Sequence, residues 1–231
     1  MPVIATAAWS IPRTVAEHFA AEGSGLARYA SVFKGVEVNS TFYKPHRTST
    51  YARWADSVPD DFRFALKLPR AITHEQRLIG IGPLFDGFLK EIEPLGNKIG
   101  PLLCQLPPSL VYDPAVVEPA LFALRQRFEG RIVIEARHKS WQSPDVLSLL
   151  ERHAIDRALA DPAPVWPADT FPMPPVYVRL HGTPKVYYSA YDEPEIERVR
   201  RLLAAGSWCV FDNTASGAAI ENALTMLGRS V

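Results

Sequence analysis

Charged and amide side chains gather at the ends of short apolar runs, where they could do chemistry together. Glu37-Val38-Asn39 closes one run, Glu135-Ala136-Arg137-His138 a second and Arg179-Leu180-His181 a third. Lys67, Gln105, Asp161 and Asp212-Asn213 close four more. Guanidinium groups grip oxyanions with paired hydrogen bonds, and imidazoles and carboxylates move protons near neutral pH. Alternate side chains of a strand point the same way, so Glu37 with Asn39, Glu135 with Arg137, and Arg179 with His181 each share a face. That spacing predicts charges of both signs converging at one mouth.

In this reading Arg137 and Arg179 hold an anion, Glu135 and His181 exchange protons, and Lys67 and Glu37 support them. Asn39, His138, Asp161 and Asn213 add ligand contacts from neighbouring strand ends. Loops add His74, and Trp141 and Tyr43 as rings that could stack on a ligand. A strand-end lysine can also form a Schiff base, but an ion pair with Glu37 or Glu135 is the plainer expectation for Lys67. The bland alternative for the whole set is a ring of structural ion pairs, such as Glu135 with Arg137 or Arg179.

Other chemistries fit less well. Glu37, Glu135, Asp161, Asp212, His138 and His181 are metal-ligand types, yet Arg137 and Arg179 at the same mouth would repel a dication. No H-E-x-x-H occurs, so no cofactor is expected, with a divalent metal on these residues as the alternative. There is no G-x-S-x-G elbow, no G-x-G-x-x-G turn after the first strand and no Walker A loop.

The elements that must carry these residues form a regular series. Eight β-prone runs are read at 3–8, 35–39, 62–67, 100–106, 131–136, 157–161, 176–181 and 208–213. Between most of them lie amphipathic stretches at 48–56, 83–94, 114–128, 144–153, 194–205 and 216–227. Four of these start with a proline, whose missing N–H is harmless in a first turn. A proline-rich stretch from Asp161 to Pro175, with Pro162, Pro164, Pro167, Pro172 and Pro174 between, reads as an ordered loop. Strands alternating with helices over 231 residues predict an α/β fold, a single (β/α)8 TIM barrel in one domain, 1–231. Sites of such barrels lie where several strands end together, which is where the polar residues sit.

Composition narrows the class. Apolar residues make up 47% and charged residues 22%, with 25 Lys plus Arg balancing 25 Asp plus Glu. Such a chain buries a core, and its zero net charge argues against a general nucleic-acid coat protein. Cys104 and Cys209 cannot build a disulfide framework and read as buried, reduced thiols. No run is long and apolar enough for a membrane span, so a cytoplasmic protein without membrane contacts is expected.

Six blocks carry a family resemblance: EVNSTFY at 37–43, FALKLPRAITHEQRL at 64–78, LGNKIGPLLCQLPPS at 95–109, IEARHKSW at 134–141, YVRLHG at 177–182 and FDNT at 211–214. Together they resemble the domain-of-unknown-function 72, or YecE-like, family. The resemblance implies a barrel of the TIM type related in shape to endonuclease IV and sugar-isomerase barrels, and no established reaction. Two positions depart from the family pattern: Thr6-Ala7-Ala8-Trp9 replaces a glycine-bearing opening, and Asp212 replaces the first Asn of the final block.

Three functions follow as expectations. The first is a metal-independent hydrolase, lyase or isomerase acting on a small phosphorylated or carboxylated molecule. The second is an endonuclease IV-like protein that binds or cleaves DNA, using the aromatic residues as wedges. The third is a ligand sensor whose mouth binds without converting.

Overall fold

The computed structural model describes residues 1–171 and 174–229, so Pro172 of the expected loop lies outside the described residues. The strands are β1 (Val3–Thr6), β2 (Gly35–Val38), β3 (Arg63–Lys67), β4 (Ile99–Gln105), β5 (Ile132–Glu135), β6 (Asp156–Arg157), β7 (Leu159–Asp161), β8 (Tyr177–Leu180) and β9 (Trp208–Phe211). All pair in parallel, in two sheets ordered β2-β3-β4-β5-β6 and β1-β9-β8-β7. The fold is therefore α/β with a four-stranded and a five-stranded parallel sheet.

The closed eight-stranded barrel expected from the strand count differs from this in two respects. The single run expected at 157–161 is two strands, β6 pairing with β5 and β7 with β8. Between them the Ala158 N–H donates to Ile134 O at 2.8 Å, so one stretch of chain passes from the first sheet to the second. On the other side β1 lies beside β2, but no ladder pairing joins them.

Both faces of the strands are buried, as parallel sheets require. Outward residues such as Ile4, Val36, Leu66, Cys104, Ile134, Val178 and Phe211 pack in the larger core, which also takes in helix residues. Inward residues form a smaller core of Ala5, Ala7, Ala65, Leu103, Val133, Ala158, Tyr177, Trp208 and Val210. Trp208 reaches into this interior because two strand positions carry no side chain. A Cβ on Gly35 would stand 2.8 Å from the Trp208 ring, and one on Gly100 would stand 3.1 Å from it.

The helices are α1 (Gly25–Ala30), α2 (Ser40–Tyr43), α3 (Thr48–Asp56), α4 (Gly82–Ile92), α5 (Pro114–Arg125), α6 (Pro144–Arg152), α7 (Glu193–Arg200) and α8 (Ala218–Met226). Their starts follow local chemistry. Asp113 and Ser143 each accept a backbone N–H ahead of the prolines that open α5 and α6. Asp192 and Glu195 form a reciprocal capping box on α7. The short helices α1 and α2 escaped the periodicity reading because fewer than two turns show no period. No helix among the described residues is long and apolar enough to cross a membrane.

Candidate functional site

β8 points Tyr177 and Arg179 into the interior, and the following residue on that face is His181. Arg179 is 0% exposed and is the hub of the site. It makes a forked contact with Glu37, Nε to Oε2 at 2.9 Å and Nη2 to Oε1 at 2.7 Å. Its Nη1 donates to Glu135 Oε2 at 2.5 Å and its Nη2 also donates to Asp212 Oδ2 at 3.0 Å. Tyr177 stands below and donates its hydroxyl to Glu37 Oε2 at 2.8 Å. A buried carboxylate is costly unless it is paired and fully hydrogen-bonded, and Glu37 meets both conditions.

This arrangement corrects one expected role. Arg179 does not face a ligand: its donors are committed to three carboxylates beneath the surface. Burial opposes its charge, but Glu37, Glu135 and Asp212 outweigh burial and hold its pKa well above the ordinary arginine range. Glu37 is likewise an anchor, with both oxygens occupied and no exposure.

Above the hub sits a second tier. Glu135 Oε1 accepts from Gln105 Nε2 and from Arg137 Nε, each at 2.9 Å. His181 Nδ1 lies 2.9 Å from Asp212 Oδ2 and its Nε2 3.4 Å from Glu135 Oε1. Burial disfavours the imidazolium, but these two carboxylates outweigh burial and the nearby Arg179, and raise the His181 pKa. Burial alone would raise the Glu135 pKa, yet Arg179, His181 and Arg137 hold it well below the usual carboxylate range. Asp212 is lowered in the same way, against burial, by Arg179 and His181. Glu135 thus stays ionised and is a weak base, which leaves His181 as the proton-carrying group of the pair expected to exchange protons.

Arg137 and His181, with Glu135, open on a cavity of about 290 Å³. Its other walls are Pro108, Pro162, Ala163, Pro164 and Val186, an apolar frame around a few charged groups. Arg137 keeps 24% of its side chain exposed there. Tyr187 closes over His181, with ring centroids 5.8 Å apart, and holds its backbone at φ 70°, which non-glycine residues seldom adopt. Lys67, at the end of β3, lies 4.2 Å over the Phe42 ring. Burial and then Arg179 push its ammonium down to about 8, against the pull of Glu37, Asp212 and Glu135.

The remaining expected residues divide. Asn39 joins the cluster through a weak 3.4 Å contact from Nδ2 to Asp212 Oδ1. His74 stands edge-on to Phe42, bonded to Thr73 Oγ1 at 2.8 Å. Burial and then Lys67 lower its pKa. Asp161 lies at the rim but is engaged with Arg198 and Thr183.

His138 is not a free ligand either: its Nδ1 accepts from Ser140 N and caps the short turn Lys139–Gln142. Trp141, expected as a stacking ring, is 0% exposed and donates its indole N–H to Leu110 O at 2.9 Å. It is a core residue. Asn213 is fully buried with its amide on Ser189 O and Asn222 Oδ1, so it fastens a loop to α8. Tyr43 is 71% exposed and points away from the cluster, into an outer groove beside Pro45 and Pro83.

Three members of the site were absent from the expected set. Asp212 drew notice as a polar strand end, a metal-ligand type and a departure from the family pattern, but not as a catalytic or ligand-binding residue. Gln105 was seen as a polar strand end and Tyr177 as an apolar strand residue. Tyr177 carried a usable signal, since it precedes Arg179 by two residues and so shares its face. Cys104 and Cys209 are buried free thiols, and burial pushes Cys104 up to about 12.

A metal does not fit this donor set. Glu37, Glu135, Asp212 and His181 converge, but the Arg179 guanidinium occupies the point where they meet. Among the described residues no group of three or more His, Cys, Asp or Glu side chains is arranged to hold an ion.

A parallel α/β fold with an arginine hub at its strand ends defines the class of protein. Within that class the chain belongs to the family of proteins of unknown function DUF72, whose model matches residues 3–230. It is 30% identical over 164 residues to the UPF0759 protein YecE of Escherichia coli (strain K12), covering 68% of this chain and 58% of that protein. The match therefore spans less than two thirds of that relative's length. It is 24% identical to the UPF0759 protein YunF of Bacillus subtilis (strain 168), covering 87% of this chain and 85% of that protein. Among solved structures, a DUF72 family protein of Thermotoga maritima superposes with a TM-score of 0.82 at 22% identity, covering 99% of this chain and 98% of that one. One from Enterococcus faecalis superposes with a TM-score of 0.80 at 22% identity, covering 100% and 97%. These likenesses support the fold and carry no reaction.

Proposed function

We propose that this chain is a metal-independent enzyme, of the hydrolase, lyase or isomerase kind, acting on a small phosphorylated or carboxylated molecule held in the 290 Å³ cavity. One observation carries the reading: Arg137 and His181 face a cavity whose other walls are mostly apolar. With His181 protonated, Lys67, Arg137, Arg179 and His181 meet only Glu37, Glu135 and Asp212, leaving a cation in excess. In surroundings this buried, that excess attracts an anion far more strongly than it would in water.

Arg137 then anchors the oxyanion, its Nε and Nη2 steadied on Glu135. His181, oriented through Nδ1 by Asp212, donates a proton to the reacting group. Glu37 and Arg179 keep the upper tier rigid from below. The architectural part of the proposal is one domain, a (β/α)8 barrel, in which β6 and β7 count as one staggered strand and β1 abuts β2. The chain crossing at Ala158 and the contact of β1 with β2 support it.

Calorimetric titration with inorganic phosphate tests the anchor. Arg137→Ala should weaken binding roughly ten- to a hundred-fold, the worth of a charge-assisted hydrogen bond, with the fold intact. Equal affinity in the variant would remove Arg137 from the site.

A further inference from the structure

Lys67 is held differently from every other cation of the cluster. The residue is 8% exposed, yet no carboxylate among the described residues comes within 4.0 Å of its Nζ. Glu37, Glu135 and Asp212 are all close enough to influence it, but their oxygens are turned to Arg179, Arg137 and His181. The expected ion pair with Glu37 or Glu135 does not form, because Arg179 claims both carboxylates. The contact left to the ammonium is the Phe42 ring face, which takes up no lone pair once the amine is neutral.

We propose that Lys67 is an imine-forming nucleophile, and that the molecule taken by this mouth is an aldehyde or ketone that also bears a phosphate or carboxylate. The inference rests on the anion-binding reading above and names its substrate class. An ammonium has no lone pair to offer, so such a lysine must be partly neutral at working pH. Burial and Arg179 act in that direction, Glu37, Asp212 and Glu135 resist, and His74 is the other titratable group beside it. The outcome, about 8, leaves roughly a tenth of the side chain as free amine at pH 7, against well under a thousandth for an ordinary lysine.

The step balances without an oxidant or reductant. The Nζ lone pair forms the C–N bond as the carbonyl π pair moves to oxygen. The carbonyl oxygen then leaves as water, carrying one N–H hydrogen and one proton from the medium. The iminium that remains holds a single N–H.

The test uses glyoxylate and glyceraldehyde 3-phosphate as anionic probes and glycolaldehyde as the neutral one, each with cyanoborohydride at pH 7. Intact mass and peptide mapping of the whole, unsubstituted chain locate the adduct. One reductive adduct at Lys67 is expected, forming roughly a hundred-fold faster than at the six other lysines and faster with the anionic probes. Lys67→Arg should abolish it while keeping the charge. Adducts spread evenly over the lysines, as in the denatured chain, would overturn the proposal. Glycerol 3-phosphate, which has no carbonyl, separates the two claims by calorimetry. Binding of it without an adduct at Lys67 sinks only the imine. An adduct at Lys67 that forms equally well with glycolaldehyde keeps the imine and sinks the anionic substrate.

Discussion

Arg179 Nη1 meets Glu135 Oε2 at 2.5 Å while the other Glu135 oxygen accepts from Arg137 at 2.9 Å. One carboxylate thus joins a buried arginine that holds the site together to a partly exposed one that faces the cavity. The division of labour between the two arginines follows from their burial, and it reverses the equal roles their spacing suggested.

Removing the buried member should therefore unfold the site rather than empty it. Arg179→Ala leaves Glu37 buried and charged with only the Tyr177 hydroxyl, and strips Glu135 and Asp212 of their shared cation, so it should destabilise the chain by about 3–5 kcal/mol. Urea denaturation followed by circular dichroism reads the loss. A change below about 1 kcal/mol, the scale of an exposed pair, would show that the carboxylates do not depend on it.

Stability should fall on both sides of neutrality. Glu135 and Asp212 are lowered from ordinary values of 4.5 and 3.8, so their contribution is present above those values and is lost as pH falls through the folded ones. His181 is raised from 6.5, so its contribution is full below 6.5 and is lost as pH rises through the folded value. Asp212→Asn removes the partner at Nδ1, so it should lower the His181 pKa and flatten the alkaline limb of the stability profile. NMR titration of the imidazole checks the first effect and melting temperature against pH the second; an unmoved His181 would contradict the pairing.

Alternation along strands made Glu37, Glu135, Arg179 and His181 legible as one face, because a period of two is a property of the extended chain. Which of them pair was not legible. The forked contact of Glu37 with Arg179 joins strands on different sheets, and no local pattern records it. Trp141 and Asn213 were misplaced for the same reason: Leu110, which takes the Trp141 indole N–H, and Ser189, which takes an Asn213 amide hydrogen, are distant in sequence. The passage of 156–161 between the sheets was hidden as well, since β6 and β7 read as one apolar run.

The interior floor should tolerate no added volume. A methyl at Gly35 would stand 2.6 Å from a Val3 methyl as well as 2.8 Å from Trp208. Gly35→Ala should destabilise by about 1–3 kcal/mol, as overpacked cores do. Trp208 fluorescence should shift with it. A neutral substitution would mean that β1 and β2 can move apart.

Both thiols should be silent in the folded chain. Cys104 and Cys209 are buried with raised pKa values, so thiolate is scarce and reagents have no path. Ellman's reagent should find two thiols in denaturant and none without it. Rapid reaction under native conditions would mean that the strands carrying them open readily.

The central claim is that an anion sits against Arg137 and His181, and the His181 imidazole reports it most directly. Its pKa, followed by NMR with and without inorganic phosphate, should rise when phosphate is present, because binding and protonation reinforce each other reciprocally. The rise should shrink in Arg137→Ala. Superimposable titration curves at phosphate concentrations that saturate calorimetric binding would place the anion elsewhere and contradict the account.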